Sequence, residues 1–192
     1  MKQLRVLIVD DDSTIRLDLR EMVEEAGHAV VGEASTGDEA LVKSRKLDPS
    51  LVLLDIKMPG MSGLEALKRM NEEKHRPVVI LTAFSDRGFV DEAVELGAAA
   101  YIVKPFDPVG LVPAIRLALA HFEELEFLRK ENLSLKEAIE ANRLITRAKR
   151  ALMRQDGMSE GEAFRMIQKL SMEKRKKMKD VAESVLLLYG EG

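Results

Sequence analysis

The sequence contains no cysteine. This absence excludes disulfide bonds, thiolate metal sites and cysteine nucleophiles, and it fits a reducing compartment. Long apolar stretches are missing as well, because the longest runs, at 51–54 and 78–81, have the length of strands and are far too short to cross a bilayer. The apolar run after Met1 and Lys2 ends at Asp10, unlike a signal peptide. We therefore expect a cytoplasmic protein that does not enter a membrane.

Charge is distributed unevenly along the chain. Apolar residues make up 46% of it, which is enough to build a core and argues against disorder. The formal net charge is only −3, but between Arg143 and Lys179 twelve Lys and Arg outnumber four Asp and Glu, so this block carries +8 and the remainder −11. A basic block beside an acidic body indicates an anionic partner for one part of the chain, although a solvated helix face would give the same pattern.

Five short β-rich runs alternate with segments of helical period over residues 1–105. Several runs are apolar almost throughout, as in strands buried on both faces of a parallel sheet. The predicted strands are Leu4–Val9, Ala29–Ala34, Leu51–Leu54, Val78–Leu81 and Ala100–Val103. This alternation predicts an α/β fold with a five-stranded, parallel, doubly wound (flavodoxin-like) sheet, which binds ligands at the carboxyl ends of its strands.

A long helix is predicted after this domain, because no glycine or proline occurs between Ala114 and Asp156. A heptad register fits its first part. It places Ala118, Leu125, Asn132 and Ile139 at a, His121, Leu128, Leu135 and Asn142 at d, Glu124 and Glu131 at g, and Arg129 and Lys136 at e. This spacing is typical of a parallel two-stranded coiled coil in which one Asn at a fixes the register. We expect a homodimer through this helix; the alternative is a helix that packs on its own protein.

Three amphipathic helices are predicted in the C-terminal part, which gives an all-α, three-helix output domain. Asp156-Gly157 should end the long helix, and Ser159 with Glu162 has the spacing of a capping box that begins the next. The apolar positions of the second and third helices are Ala163, Met166, Ile167 and Leu170, then Met178, Val181, Ala182, Val185 and Leu188. So small a bundle buries little apolar surface alone.

Polar residues with complementary chemistry stand at the ends of the predicted strands. Asp10 and Asp11 follow the first strand and Asp55 follows the third, its neighbour in a flavodoxin-like sheet. Carboxylates at close quarters repel, and a hard divalent cation relieves that repulsion. Thr82 ends the fourth strand and Lys104 the fifth, supplying the hydroxyl and ammonium that suit a phosphoryl group. Singly, each aspartate would fit a turn or cap; together, the five residues predict a phosphoryl site.

The stretches VDDDS (9–13), LDIKMPG (54–60), LTA (81–83) and YIVKPF (101–106) resemble the receiver domain of two-component response regulators. The resemblance covers about 120 residues and implies a sensor histidine kinase as partner. It makes Asp55 the phosphoacceptor. It also implies a Mg²⁺ site formed by Asp10, Asp11, Asp55 and the backbone carbonyl of Lys57.

The same resemblance assigns the remaining positions of the site. Thr82 would bond a phosphoryl oxygen, Lys104 would pair with the phosphate, and Thr82 and Tyr101 would form the switch. Lys104–Pro105 would be a cis peptide. Lys57 and Phe84 occupy positions that tune the lifetime of the phosphate. Such a protein is not an enzyme, since Mg²⁺-dependent self-phosphorylation and dephosphorylation are its only chemistry.

The C-terminal part resembles a second family. The stretch ANRLITRAKRALM (141–153), followed by Ser159, Ala163-Phe164 and KDVA (179–182), is similar to ANTAR domains, which bind RNA in transcription antitermination. Those domains usually have Gly where this chain has Arg150. The resemblance implies structured, stem-loop RNA as partner. The candidate RNA contacts are Arg143, Arg147, Lys149, Arg150, Arg154, Arg175 and Lys177.

The predicted organisation is a receiver domain at 1–120, a helical or coiled-coil linker at 118–142 and an RNA-binding domain at 127–188. The predicted function is a phosphorylation-controlled regulator that binds structured RNA. A DNA-binding transcriptional regulator and a protein-binding phosphorelay module are the alternatives. Comparing the binding of stem-loop RNA and duplex DNA would separate the first two, and binding that does not respond to salt would favour the relay module.

Overall fold

The computed structural model describes residues 3–83 and 87–189. The chain divides into two units, Met1–Glu126 and Phe127–Gly192. The elements in chain order are β1 (Arg5–Val9), α1 (Ser13–Glu25), β2 (Ala29–Ala34), α2 (Gly37–Leu47), β3 (Leu51–Asp55), α3 (Gly63–Glu73), β4 (Val78–Ala83), α4 (Arg87–Glu95), β5 (Ala100–Lys104), α5 (Pro108–Gln155), α6 (Glu160–Lys174) and α7 (Met178–Tyr189). Among the described residues, none of the helices is long and apolar enough to cross a membrane.

The first unit is built on a five-stranded sheet of order β2-β1-β3-β4-β5 in which every pairing is parallel. The strands are apolar on both faces because helices cover both sides, and two core clusters result. The predicted α/β, doubly wound fold is therefore confirmed. Three strands run one or two residues further than predicted, ending at Asp55, Ala83 and Lys104, because the backbone at these positions still pairs with the neighbouring strand whatever the polarity of the side chain.

The second unit is a bundle formed by the end of α5 with α6 and α7, so the predicted helical output part is confirmed. Its core includes Ala148, Ala163 and Ala182, all fully buried, whose small side chains let the helices approach. The capping box is present: the Ser159 hydroxyl accepts from the Glu162 amide, and the Glu162 carboxylate accepts from the Ser159 amide.

The heptad register is wrong in its first turns. Ala118, assigned to a, is fully buried in the core of the first unit, and the ring of His121, assigned to d, lies 3.2 Å from the carbonyl oxygen of Ala99. Ala118 packs there because the apolar face of this part of the helix covers the sheet, and His121 contacts the chain just before β5. Further along α5, the seam residues are exposed; they are Leu125, Leu128, Asn132, Leu135, Ile139 and Asn142.

Candidate functional site

An acidic cluster lies at the carboxyl edge of the sheet. Asp10 follows β1 and Asp55 ends β3, and these strands are neighbours with Val9 opposite Leu54. Carboxylate oxygens of Asp10, Asp11 and Asp55 all lie within 4.8 Å of one another. Asp10 and Asp55 are buried, whereas Asp11 is exposed. The parallel topology thus brings together the three acids predicted from the strand ends.

Lys104, at the end of β5, joins this cluster. Its Nζ donates to Asp55 Oδ1 at 2.6 Å and to Asp10 Oδ2 at 2.7 Å. Because β4 separates β5 from β3, the lysine side chain must reach across the end of β4. One ammonium group therefore bridges two buried carboxylates, and the cluster of three acids holds more carboxylates than this lysine alone can neutralise.

The burial of the cluster and its excess of carboxylates shift the pKa values of Asp55 and Lys104. Burial raises the pKa of Asp55 above its usual value, and the charges of Asp10 and Asp11 act in the same direction, against the opposing effect of Lys104. For Lys104, burial works to lower the pKa, but the hydrogen bonds to Asp10 and Asp55 outweigh it, so the pKa is raised. The lysine stays protonated, and the pocket favours a further positive charge near Asp55.

The other predicted residues of the pocket lie on, or just after, the strands β3, β4 and β5. Thr82 is buried near the end of β4, and its hydroxyl donates to the carbonyl oxygen of Ala83 at 3.2 Å. Tyr101 lies on β5 with 51% of its surface exposed. The Lys104–Pro105 peptide is cis, and Lys57 follows two residues after Asp55. Phe84 lies outside the described residues.

Two residues outside the predicted set contact the loop that carries the acids. The Asp12 carboxylate accepts from the Thr14 amide at 2.8 Å and caps α1. The Arg16 guanidinium donates to the backbone carbonyls of Asp10 and Asp11. Asp before a helical pattern is a recognisable cap signal, but an arginine one turn into a helix carries no signal that separates this role from an exposed position.

The basic residues of the second unit form an arginine ridge on α5. Arg143, Arg147, Arg150 and Arg154 follow one another at intervals of four, three and four residues, so they share one face of the helix. All four are exposed, and the alanine face that packs into the bundle points elsewhere. Arg175 and Lys177 are exposed between α6 and α7.

Lys149 does not belong to that ridge. Its Nζ lies 2.6 Å from Glu160 Oε1, and only 18% of the side chain is exposed. Of the two neighbouring candidate RNA contacts, Lys149 and Arg150, only Arg150 is therefore exposed. The two are adjacent on the helix and lie about 100° apart around its axis, so Lys149 turns towards the first turn of α6 while Arg150 points outward.

Residues 6–116 match the response regulator receiver domain. The chain belongs to this family. Residues 133–186 match the ANTAR domain, so both resemblances seen in the sequence are confirmed. A response regulator is part of a two-component system, and receiver domains act as regulators rather than catalysts.

Individual relatives agree with this assignment. The chain is 44% identical over 186 residues to the transcriptional regulatory protein PdtaR of Mycobacterium tuberculosis, and the alignment covers 97% of this response regulator and 91% of that protein. It is 40% identical over 112 residues to the chemotaxis protein CheY of Thermotoga maritima, covering 58% and 93% of the two chains. A LuxR-family two-component response regulator from Aurantimonas has a TM-score of 0.59 and 34% identity, covering 62% of this chain and 86% of that chain.

Proposed function

We propose that this response regulator is controlled by phosphorylation of Asp55 and that its ANTAR domain binds structured RNA to regulate transcription antitermination. The observation that carries the first half is the Lys104 bridge to Asp55 and Asp10 inside the acidic cluster. A sensor histidine kinase is the expected phosphoryl donor. The receiver spans about 1–120, a helical linker 118–142 and the RNA-binding domain 127–188.

The residues present fit Mg²⁺. Carboxylate oxygens of Asp10, Asp11 and Asp55 lie within 4.8 Å of one another, which is the all-oxygen donor set that a hard divalent cation prefers. The backbone carbonyl of Lys57 is proposed as a further ligand. When bound, the ion supplies positive charge that offsets the repulsion between these acids and an incoming phosphoryl group.

Each side chain of the pocket then has a separate role in phosphoryl transfer. An Asp55 carboxylate oxygen forms the new bond to phosphorus while the bond to the donor breaks, and the donor leaves with the electron pair. The Lys104 ammonium, already beside Asp55, neutralises charge on the transferred group. The Thr82 hydroxyl exchanges the Ala83 carbonyl for a phosphoryl oxygen, and Tyr101 turns inward from its exposed position into the space that is freed.

Phosphorylation is tested with a small phosphodonor and radiolabelled phosphate. Wild-type protein should become labelled only when a divalent cation is present, and Asp55→Asn should abolish the labelling because no carboxylate nucleophile remains. Asp11→Ala should slow labelling through weaker metal binding, while Asp91→Ala, an exposed acid on α4, serves as the matched control. Labelling of Asp55→Asn at the wild-type rate, or indifference to a chelator, would contradict the proposal.

The arginine ridge supports RNA as the ligand of the output domain. Four guanidinium groups on one face span three turns of α5, and guanidinium is suited to phosphate and to stacking on unpaired bases. Arg175 and Lys177 add charge outside α5, whereas Lys149 becomes a weaker candidate because Glu160 already pairs with it. The relative PdtaR is named a transcriptional regulatory protein, in keeping with an output that acts on transcription.

RNA binding is tested by filter binding of the full chain to stem-loop RNA and to duplex DNA at several salt concentrations. Arg150→Ala with Arg154→Ala should weaken RNA binding and lower the magnitude of the salt slope by about 0.7 to 0.9 for each phosphate that is no longer neutralised. Lys169→Ala with Lys174→Ala on α6 removes the same charge off the ridge and is the control. A preference for duplex DNA would favour the DNA-binding alternative, and binding insensitive to salt would favour the relay module.

A homodimer through α5 is part of the proposal. Four apolar seam residues, namely Leu125, Leu128, Leu135 and Ile139, are exposed at positions a and d of the predicted register. Exposed leucines and isoleucines at this spacing are the usual contact surface of a two-stranded coiled coil. A dimer would present two arginine ridges, which suits an RNA with two stem-loops.

A further inference from the structure

Arg16 makes a set of contacts that joins the acidic loop to strand β2. Its Nη1 donates to the carbonyl oxygen of Asp10 at 2.7 Å and to that of Asp11 at 3.2 Å. Its Nε donates to Glu33 Oε2 at 3.3 Å. The side chain is largely buried. One guanidinium group thus spans two successive carbonyls and a carboxylate on the neighbouring strand.

The two carbonyls have few other partners available. Asp10 and Asp11 follow the last residue of β1 and precede Asp12, the N-cap of α1 whose own carbonyl begins the helical ladder. Neither the sheet nor the helix therefore accounts for them. Backbone carbonyls that leave regular structure need another donor, and the Arg16 guanidinium supplies it.

Glu33 is itself held in place. Its Oε1 accepts from Arg20 Nε at 2.8 Å, and the Arg20 guanidinium makes a second contact to the same oxygen at 2.5 Å. Lys43 bonds the backbone carbonyl of Glu33. The Glu33 carboxylate is therefore held from α1 and its backbone from α2, so the group that orients Arg16 is itself fixed.

Asp10 and Asp11 depend on Arg16 to different degrees. Asp10 is buried, and its carboxylate already accepts from Lys104 and from the Asp12 amide, so several contacts hold it. Asp11 is exposed, and Arg16 holds it through its backbone carbonyl rather than through its carboxylate. The direction of the Asp11 side chain consequently depends on its backbone, which Arg16 holds.

We propose that Arg16 is a positioning residue for the metal site: by bonding the carbonyls of Asp10 and Asp11 it holds the Asp11 carboxylate towards Asp10 and Asp55. This inference rests on the proposed Mg²⁺-dependent phosphorylation. Contacts that orient metal ligands in this way typically change metal affinity by about 10- to 100-fold when removed. The sign is diagnostic, because removing a cation beside an acidic site would by charge alone tighten cation binding, whereas loss of positioning weakens it.

The test measures the binding of Mn²⁺ to the full-length protein from the electron paramagnetic resonance signal of the free ion. Arg16→Met should weaken Mn²⁺ binding about tenfold. Arg16→Lys keeps one donor group but cannot bond the carbonyls and Glu33 at once, so it should recover part of the lost affinity. Arg45→Met is the matched control, since it removes an arginine that pairs with Glu73 and contacts neither Glu33 nor the acidic loop, and it should bind Mn²⁺ like the wild type. Circular dichroism confirms that each variant is folded.

A double variant separates positioning from general destabilisation. If Arg16 acts through Asp11, adding Arg16→Met to Asp11→Ala should cause little further loss, whereas independent effects would multiply. Unchanged or tighter Mn²⁺ binding by Arg16→Met and Arg16→Lys, or full multiplication in the double variant, would overturn the inference. Labelling of Asp55 in the same preparations distinguishes the two proposals. Wild-type protein that cannot be labelled contradicts the proposed function. Wild-type protein that is labelled, together with normal Mn²⁺ binding by Arg16→Met, contradicts only the role of Arg16.

Discussion

At the residue scale, the proposed phosphoryl pocket concentrates negative charge at the expense of folding stability. Three carboxylates lie together, and the Lys104 ammonium bridges the two that are buried. Burying an ionised carboxylate without full compensation is unfavourable, and the raised pKa of Asp55, caused first by burial, expresses that cost. The pocket is therefore arranged to accept additional positive charge rather than to maximise folding stability.

A prediction about stability and pH follows for Asp55. Because its native pKa is raised, the native state binds more protons than the unfolded state as the pH falls towards that pKa, and stability rises with acidification there. Asp55→Asn should therefore increase the free energy of unfolding at pH 7 in the presence of a chelator, since the amide can still accept from Lys104. The advantage should be complete above the native pKa and should shrink as the pH falls through it.

The measurement is urea unfolding at neutral pH and at successively lower pH values. Asp91→Asn, at an exposed site on α4, controls for the general effect of removing a negative charge. An Asp55→Asn protein that is less stable than wild type at pH 7 would mean that the ion pair with Lys104 outweighs the burial of the carboxylate.

The sequence predicted correctly which residues meet when their positions follow from the topology of the sheet. It could not predict the surroundings of a residue whose exposure depends on one particular neighbour. Asp10 and Asp55 could be brought together because the ends of neighbouring parallel strands meet at one edge of a sheet. The exposure of Lys149 could not be predicted in the same way. Its partner, Glu160, lies beyond a turn, and helical periodicity does not tell which cation on a basic helix will meet a carboxylate.

At the element scale, local signals predicted where helices begin and end, but not what their faces contact. The capping box at Ser159 and the end of α5 before Asp156 followed from residue types alone. Ala118 and His121 fitted a heptad equally well, yet Ala118 is buried in the core of the first unit and His121 contacts the carbonyl oxygen of Ala99. An apolar stripe fixes which face of a helix is buried and leaves open whether the receiver or a second chain buries it.

The close approach of α3 to β3 gives a prediction at this scale. Gly63 begins α3 and donates its amide to the carbonyl of Ile56 at 2.9 Å, and a Cβ at this position would lie 2.0 Å from the carbonyl oxygen of Asp55. Since backbone cannot yield as a side chain does, Gly63→Ala should lower the free energy of unfolding by about 1 to 3 kcal/mol. It should also slow the labelling of Asp55 by displacing the end of β3.

Gly88 provides the matched control for Gly63. It lies on α4, where an added Cβ would meet nothing within 4 Å, so Gly88→Ala places the same methyl group in open space. Its expected effect is neutral or stabilising by up to about 1 kcal/mol, because alanine favours helix. Equal stability and equal labelling of the two variants in thermal unfolding and phosphorylation assays would show that the β3–α3 junction tolerates a side chain.

At the scale of the whole molecule, an acidic receiver and a basic output unit share one helix, α5. The receiver concentrates negative charge where a metal ion and a phosphoryl group are expected, and the output unit carries the arginine ridge. Because the acidic unit offers little attraction to RNA, we do not expect it to bind the RNA itself. Phosphorylation of this unit must therefore act on the output unit through α5, the helix that the two units share. Self-association through α5 is such a change, because it can bring two ridges to one RNA.

The coiled-coil seam can be tested against a matched pair of substitutions on the same helix. Leu128 and Leu135 lie on the predicted seam with 50% and 63% of their surfaces exposed, while Phe127 and Leu133 lie off it with 61% each. Leu128→Lys with Leu135→Lys should prevent dimerisation, since two lysines per chain would be buried in the interface. Phe127→Lys with Leu133→Lys adds the same charge to solvent and should leave the dimer intact.

Sedimentation velocity at micromolar concentration, with and without beryllofluoride as a stable phosphoryl analogue, separates the outcomes. The seam variant should sediment as a monomer in both conditions, and its affinity for an RNA with two stem-loops should fall to that for a single loop because the second contact is no longer intramolecular. Equal disruption by the off-seam pair would show that the register is wrong. Wild-type protein that is monomeric in both conditions would exclude the coiled coil and leave α5 as an intramolecular support.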